Sequence, residues 1–295
     1  MRVSELWRYP VKSFGGEAVD EAVVEPWGLE GDRRWGVVGP DGFPVTAREC
    51  HELLGLTATT VDEETIRIAA RDGESILVET PLGVPPVPVG HSRQGFAPPA
   101  DQDVSEWVSD RAGRALRLVW QEDPTVRRIS GAHGGQEGAS VSLADTGPLL
   151  LTTEPSLARL GDWILEGGGD PVPMSRFRPN LVVDGPGVEP FVEDTWEFVT
   201  VGEVRYRRTE LCDRCVMTQI DTQTLETGKE PIRTLARHRR WDGSTWFGIR
   251  LVPVGLIGGR GTVAVGDELV PERAETTGAL QATGATGATG AADGR

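Results

Sequence analysis

Three short segments of this chain concentrate residue types that can do chemistry. The first, Thr209-Glu-Leu-Cys-Asp-Arg-Cys-Val-Met-Thr-Gln-Ile-Asp221, holds two cysteines in C-x-x-C spacing, and such a pair serves three chemistries, each needing its own context. A dithiol redox pair needs its first cysteine at a helix N-terminus, where the dipole lowers the thiol pKa; here Val216-Met-Thr-Gln-Ile220 alternates like a strand. A structural zinc site needs two more soft ligands. The remaining candidates are Cys50, which reads as packing, and the histidines His51, His91, His133 and His238, which follow no paired spacing and read as solvated or hydrogen-bonded side chains. The third reading uses one cysteine. Arg214 directly precedes Cys215, and a fixed positive charge favours the thiolate, which serves as a soft metal ligand or a nucleophile. Two cysteines filling a barrel interior would give the same local sequence.

The second segment is Trp7-Arg-Tyr-Pro-Val-Lys-Ser-Phe-Gly-Gly16. A strand runs into Pro10 and then presents Lys12 and Ser13 just before a glycine pair, so an ammonium, a hydroxyl and free backbone N–H groups meet at one strand end, a combination suited to an anion. An ordinary solvated turn has the same composition. Only Lys12 and Lys229 are lysines; the other basic residues are arginines, whose planar fork matches oxyanions better than a mobile ammonium does. The third segment is Met174-Ser-Arg-Phe-Arg-Pro-Asn-Leu-Val-Val183. Read as an extended stretch of period two, it places Arg176, Arg178 and Asn180 on one side, where two forks and an amide could grip a phosphate or a polar heterocycle.

These segments must be positioned by a β-rich scaffold. Short β-type runs recur at Arg2–Tyr9, Ala18–Val24, Trp35–Val38, Thr65–Ala69, Ile76–Glu79, Ala115–Trp120, Leu181–Asp184, Phe198–Val201, Val204–Arg207, Val216–Ile220, Phe247–Val252 and Thr262–Val265, separated by Gly, Pro or Asp breaks. Helices are few: Asp101–Ala112, Thr153–Glu166 and a short one over Pro231–Arg239. The second has Thr153 as a cap, Pro155 in its first turn and three glycines after its end. Val87–Ala100 and Ser130–Gly138 read as loops. The expected class is α+β, predominantly β and barrel-like.

The 295 residues allow one large domain or two modest ones. The formal charge of −15 argues against tracking nucleic-acid phosphates or coating an anionic membrane. No apolar run reaches the roughly 20 residues of a membrane span, and the N-terminus lacks a secretory pattern. Three cysteines fit a reducing compartment. The expectation is a cytoplasmic protein with no nucleic-acid or membrane partner.

Taken in order, Y-P-V-K-S, G-D-R-R-W, V-T-A-R, L-A-D-T-G-P-L-L-L-T-T-E-P-S-L, R-F-R-P-N-L-V-V-D-G, C-D-R-C-V-M-T-Q-I-D, G-K-E-P-I-R-T-L and F-G followed by V-G-D resemble the MOSC-domain proteins that carry an extra N-terminal β-barrel module, a group that includes the mitochondrial amidoxime-reducing component. The resemblance spans about 1 to 270. It implies an N-terminal β-barrel module over 1–120 packed on a MOSC domain over 121–272; 273–295, rich in ATG repeats, reads as a disordered low-complexity tail. It further implies a molybdenum cofactor, a pterin dithiolene with a terminal phosphate, bound between the modules with Cys215 as the metal ligand and catalytic thiolate. Pyridoxal phosphate is not implied. By the same matching Lys12, Ser13, Arg33, Asp145, Thr146, Arg178, Asn180, Arg208 and Arg214 fall on cofactor contacts, with a phosphate near Lys12, Ser13 and Arg33 and the pterin near Arg178 and Asn180. Asp213 joins this set as a departure, a carboxylate where relatives often have a small polar residue.

The implied activity is removal of oxygen from N-hydroxylated small molecules such as amidoximes, hydroxylamines and N-hydroxylated base analogues. The electrons come from a separate reductase or an iron–sulfur, flavin or haem protein, because this sequence ends in the ATG-rich tail where some bacterial relatives carry a ferredoxin module. Asp213, Asp221 and Glu49 are all candidates for the catalytic acid. The alternative is a sulfurtransferase that carries sulfur as a Cys215 persulfide.

Overall fold

A computed structural model describes residues 1–91 and 93–273. The segment from 274 onward, including nearly all of the tail identified by composition, lies outside the described residues. Strands of four or more residues in the first half are β1 (Arg2–Arg8), β2 (Glu21–Glu25), β3 (Trp35–Val38), β4 (Leu56–Thr60), β5 (Thr65–Ala70), β6 (Ser75–Glu79) and β7 (Arg117–Trp120). The second half adds β8 (Leu149–Thr153), β9 (Leu181–Asp184), β10 (Trp196–Val201), β11 (Val204–Asp213), β12 (Ser244–Val254), β13 (Gly261–Ala264) and β14 (Leu269–Arg273). Three α-helices, α1 (Gln102–Ala112), α2 (Glu154–Glu166) and α3 (Ile232–His238), complete an α+β, predominantly β fold. None of the helices is long and apolar enough to cross a membrane.

The largest sheet runs Glu17–Ala18, β1, β9, β8, β12, β11, β10, β14. All its neighbours are antiparallel except β8 and β9. β8 is Leu-Leu-Leu-Thr-Thr, buried at every position, as a strand covered on both faces must be; the period-two reading misses it because nothing alternates. β2 pairs with β13. One core therefore joins Val3, Leu6, Ala22 and Val24 near the N-terminus to Leu181, Tyr206, Ile249, Leu251 and Leu269. A second core holds Val11, Phe14, Trp35, Leu53, Ile68, Val104, Val108 and Leu118, and takes in Ile220 from just beyond the cysteines. Residues 10–16 are the crossing from the first core to the second. Lys12 N donates to the Trp35 carbonyl at 2.8 Å and Gly15 N to the Leu56 carbonyl at 2.7 Å. At Gly16 any Cβ would strike the Arg8 carbonyl, so the glycine lets the chain cross itself closely.

Helix α2 starts and stops where its sequence signals place it. Thr153 Oγ1 accepts from Ser156 N at 3.3 Å, Pro155 occupies the first turn and Gly167 caps the end. Its first turn is also tied to a fully buried carboxyl: Glu193 Oε1 accepts from Ser156 Oγ at 2.7 Å. Burial pushes Glu193 up to about 7, although its bond from Ser156 works the other way.

Two local expectations are corrected. Val216–Gln219 is a single 3-10 turn and not a strand, because the Cys215 carbonyl accepts from both Thr218 N at 3.1 Å and Thr218 Oγ1 at 3.0 Å. Met174–Arg176 is likewise a 3-10 turn, and Arg178 has φ of 57°. Arg178 precedes Pro179, which disfavours the right-handed helical region for its neighbour, so the chain leaves the turn abruptly and becomes extended only at Leu181.

Candidate active site

Between the two cores lies a cleft of about 490 Å³ lined by Lys12, Ser13, Arg33, Arg48, His91, Arg127, His133, Asp145, Thr146, Arg176, Phe177, Arg178, Asn180, Cys212, Asp213, Arg214, Cys215 and Arg250 among others. Eight of its lining side chains are cationic (Lys12 and the arginines at 33, 48, 127, 176, 178, 214 and 250) against two carboxylates, Asp145 and Asp213. An acidic chain thus concentrates positive charge in one concave place, where low-dielectric walls strengthen its pull on anions. All three motif segments reach this cleft, each delivered by a chain end: Lys12 and Ser13 by the crossing after β1, Arg178 and Asn180 by the turn before β9, and Cys212 to Cys215 by the end of β11.

The inner wall is a closed hydrogen-bonded frame. Asp32, 1% exposed, accepts from Tyr9 N at 2.9 Å, Asn180 Nδ2 at 3.1 Å and Arg33 Nη1 at 2.7 Å. Asn180 Oδ1 accepts from Arg33 Nη1 at 2.9 Å and Leu150 N at 3.2 Å, and Nδ2 also donates to the Trp7 carbonyl at 3.1 Å. All four hydrogen-bonding positions of that amide are taken within the protein, so Asn180 fixes Arg33 and has nothing left for a heterocycle. Arg33 and Arg178 lie over the same Tyr9 ring, at 4.4 Å and 4.3 Å. Burial pushes the Tyr9 hydroxyl up to about 12 and Arg178 down to about 10. Ser13, Arg33 and Arg178 all have left-handed backbone, with φ of 73°, 48° and 57°. Non-glycine residues are held there only when their surroundings over-determine them, commonly at ligand sites.

The outer wall is a chain of ion pairs. Lys12 Nζ donates to Asp145 Oδ1 at 2.5 Å and to the Leu143 carbonyl at 2.8 Å, and Arg48 Nη2 reaches Asp145 Oδ2 at 3.1 Å. Lys12 holds the Asp145 carboxyl far below the usual carboxylate range, outweighing the partial loss of water around it. Burial in turn lowers Lys12, an effect that Asp145 opposes. Arg127 holds the 142–145 loop by its carbonyls, donating to that of Ala144 at 2.6 Å. His91 is buried, and among the described residues its Nδ1 has no acceptor or donor. Burial, reinforced by Lys12 and Arg127, pushes it down to about 4 and leaves a neutral imidazole.

The two cysteines divide the neighbouring guanidiniums differently from the sequence expectation. Arg214 Nη1 donates to Cys212 Sγ at 2.8 Å, and its Nη2 to the Phe177 carbonyl at 2.8 Å. Cys212 is buried, whereas Cys215 is half-exposed. The guanidinium facing the Cys215 thiol is Arg48, and Asp145 first, then that thiol, raise Arg48 against the lowering effect of its burial. Cys50 is buried in the second core, and burial pushes its thiol up to about 11, consistent with packing.

Of the residues expected at the site, Arg208 is not brought to it: its Nε donates to the Trp196 carbonyl at 2.7 Å on the other side of β11. Asp221 and Glu49 also do not line the cleft; Asp221 pairs with Arg176 at 2.6 Å and Glu49 accepts from Thr46 N at 3.0 Å. Asp213 lines the cleft with its charge matched, since Arg250 Nη2 donates to it at 2.7 Å. Sequence reasoning passed over Arg127, Arg250, His91 and His133; only Arg48 carried a signal, as part of V-T-A-R.

Comparison with known proteins gives two family matches: the MOSC N-terminal beta barrel domain over 1–115 and the MOSC domain over 138–270. The chain is similar to the mitochondrial amidoxime-reducing component 1 of Mus musculus, 31% identical over 90% of this chain and 80% of that protein. The protein of the same name from Homo sapiens is 30% identical over 82% of this chain and 73% of its own. A molybdenum cofactor sulfurase of Oryza sativa subsp. japonica is 30% identical over 82% of this chain but only 31% of its own length.

Proposed function

The chain belongs to the family of MOSC-domain proteins with an N-terminal MOSC β-barrel module, and from that membership we propose that it is a molybdenum-cofactor-dependent reductase that removes oxygen from N-hydroxylated small molecules. The observation that carries the proposal is a half-exposed thiol, Cys215, facing a guanidinium on the wall of a strongly cationic cleft.

The residues present fit such a cofactor. Among the described residues no three His, Cys, Asp or Glu side chains cluster to cage a metal ion, so a metal held here must bring most of its ligands with it, as a dithiolene does. One soft thiolate, Cys215, is then the protein's own contribution. Arg176 and Arg214 each present a buried Nε with no acceptor among the described residues, and Lys12 with Ser13 and Arg48 offers donors for a phosphate. When bound, the cofactor supplies the two-electron redox chemistry.

The chain's own residues orient and balance charge. Lys12, Ser13 and Arg48 would hold the anionic end, with Asp145 as the resident counter-ion they exchange for it. Arg178 would face the polar ring system, kept in place by Tyr9 and by its bond to the Phe14 carbonyl at 2.5 Å. Asn180 and Asp32 act through Arg33. An electron-donating protein would complete the cycle.

Elemental and pterin analysis of the purified protein tests the reading. Near-stoichiometric molybdenum is expected, and Cys215→Ser should lose it while keeping the circular-dichroism spectrum and melting transition of the wild type. The half-exposed thiol also suits a nucleophile that carries sulfur, the second reading; metal-free protein bearing cyanide-labile sulfur would reverse the order.

A further inference from the structure

His133 and Glu210 have no part in the roles assigned above. His133 sits in the glycine-rich segment 130–138, lines the same cleft as Cys215, and has its Nδ1 3.0 Å from Glu210 Oε2. The other carboxylate oxygen of Glu210 accepts from Thr146 Oγ1 at 3.0 Å and Arg250 Nη1 at 2.5 Å. Glu210 is thereby fixed from three directions. Because a carboxylate charge-paired in this way accepts, the Nδ1 of His133 carries the donating proton and Nε2 is left to exchange protons with the contents of the cleft. The loop backbone is fixed as well. Arg207 donates to the Gly134 carbonyl at 2.9 Å and Arg128 to that of Gly138 at 2.7 Å, and a Cβ on Gly134 or Gly135 would collide with the carbonyls of Thr209 or Ile129. The imidazole is 41% exposed, enough to be reprotonated from bulk water.

We infer that His133 is the general acid of the proposed reduction, with Glu210 as the positioning residue that sets its tautomer; the inference rests on the reductase reading. In the net reaction an N–OH group, two electrons and two protons become N–H and water. The N–O bond breaks, an N–H bond forms, the substrate is reduced by two electrons and the donor is oxidised by the same two. His133 gives the proton that the departing oxygen needs, and solvent supplies the one that ends on nitrogen. Competing groups are otherwise placed: Asp213 is clamped by Arg250, His91 is buried and neutral, and Asp145 lies beside the cations assigned to the cofactor's anionic end. The charged groups tied to His133 and its loop are Glu210, which it bonds directly, Arg250, which pairs with Glu210, and Arg207 and Arg128, which hold the loop carbonyls.

The test uses the full chain loaded with molybdenum, benzamidoxime as substrate and dithionite-reduced methyl viologen as donor. His133→Gln should lower kcat about 100-fold, within the range of a general acid, and Glu210→Gln about tenfold, both at wild-type molybdenum content. The wild-type rate should fall as pH rises, and His133→Gln should lack that limb. His238→Gln, outside the cleft lining and stacked against Trp163, should match the wild type. Side-chain nitrogen NMR of the metal-free protein gives a readout apart from turnover: His133 should show the Nδ1–H tautomer, as should His51, whose Nδ1 faces the Leu225 carbonyl at 3.1 Å, and Glu210→Gln should scramble that of His133 alone. Wild-type kcat and pH profile in His133→Gln at full molybdenum would overturn the assignment, as would an unchanged tautomer in Glu210→Gln. A wild-type protein that takes up no molybdenum would instead overturn the reductase reading, and this inference with it.

Discussion

The two walls of the cleft are built from the same chemical kinds, guanidiniums and carboxylates, yet they differ in how completely those groups are used. On the inner wall Asp32, Arg33 and Asn180 satisfy one another and the nearby backbone, and Asp32 is almost wholly out of solvent. On the outer wall Asp145 is half in water and shared between Lys12 and Arg48. A buried charge network is costly to break because whatever remains is stranded without a partner, while a half-exposed pair is screened and weak. One wall is therefore a frame that cannot be rearranged at low cost. The other is a set of cations whose present anion can be exchanged for an incoming one.

Substitution can break this contrast. Asp32→Ala, which strands Arg33, is expected to destabilise the protein by about 3–5 kcal/mol in denaturant unfolding; a loss below 1 kcal/mol would mean that the frame is not one. Glu193, a second buried carboxyl of the scaffold, gives a pH dependence. Its folded pKa of about 7 lies above that of an unfolded glutamate, so its contribution is fully present below the unfolded value of about 4.3 and is lost as pH rises through about 7, a decline on the order of 3 kcal/mol. Glu193→Gln should flatten the stability profile between those limits, read by urea midpoints at a series of pH values. On the outer wall Lys12→Ala should change stability by less than about 1 kcal/mol, yet weaken molybdenum retention on dialysis, and the loss should be mimicked by raising salt. Cys50→Ala, in the second core, should leave retention at the wild-type level, so equal retention in both variants would remove Lys12 from the anion site.

What was legible in the sequence was what neighbours in sequence decide. Thr153, Pro155 and Gly167 bound α2 because caps and stops act within a turn, and Lys12 with Ser13 stood out because a strand end and a glycine pair are local. The family resemblance carried the cleft residues Lys12, Ser13, Arg33, Asp145, Thr146, Arg178, Asn180, Asp213, Arg214 and Cys215, all of which line it, but not what each touches. Arg214 stands next to Cys215 in the chain and bonds Cys212 instead, since the backbone is extended at Cys215 and successive side chains leave it on opposite sides. Arg48, far away in sequence, faces Cys215. His133 read only as a solvated or hydrogen-bonded side chain because its partner, Glu210, lies on a strand that comes much later in the chain. Partner choice among many arginines is decided by packing across the two cores, and no local pattern records it.

The placement of β1 has a consequence for biosynthesis. This opening strand pairs with β9 through Val3 and Val183 and Leu6 and Leu181, so after leaving the ribosome it must wait for more than half of the polypeptide to be made before its neighbour exists. Such distant pairings are slow to form. Residues 10–16 hang from that strand, and the pocket cannot acquire its lysine corner until it docks. Any filling of the pocket would thus have to wait for that docking, and a nascent form that stalls earlier would present loose β-edges to chaperones in place of a binding site.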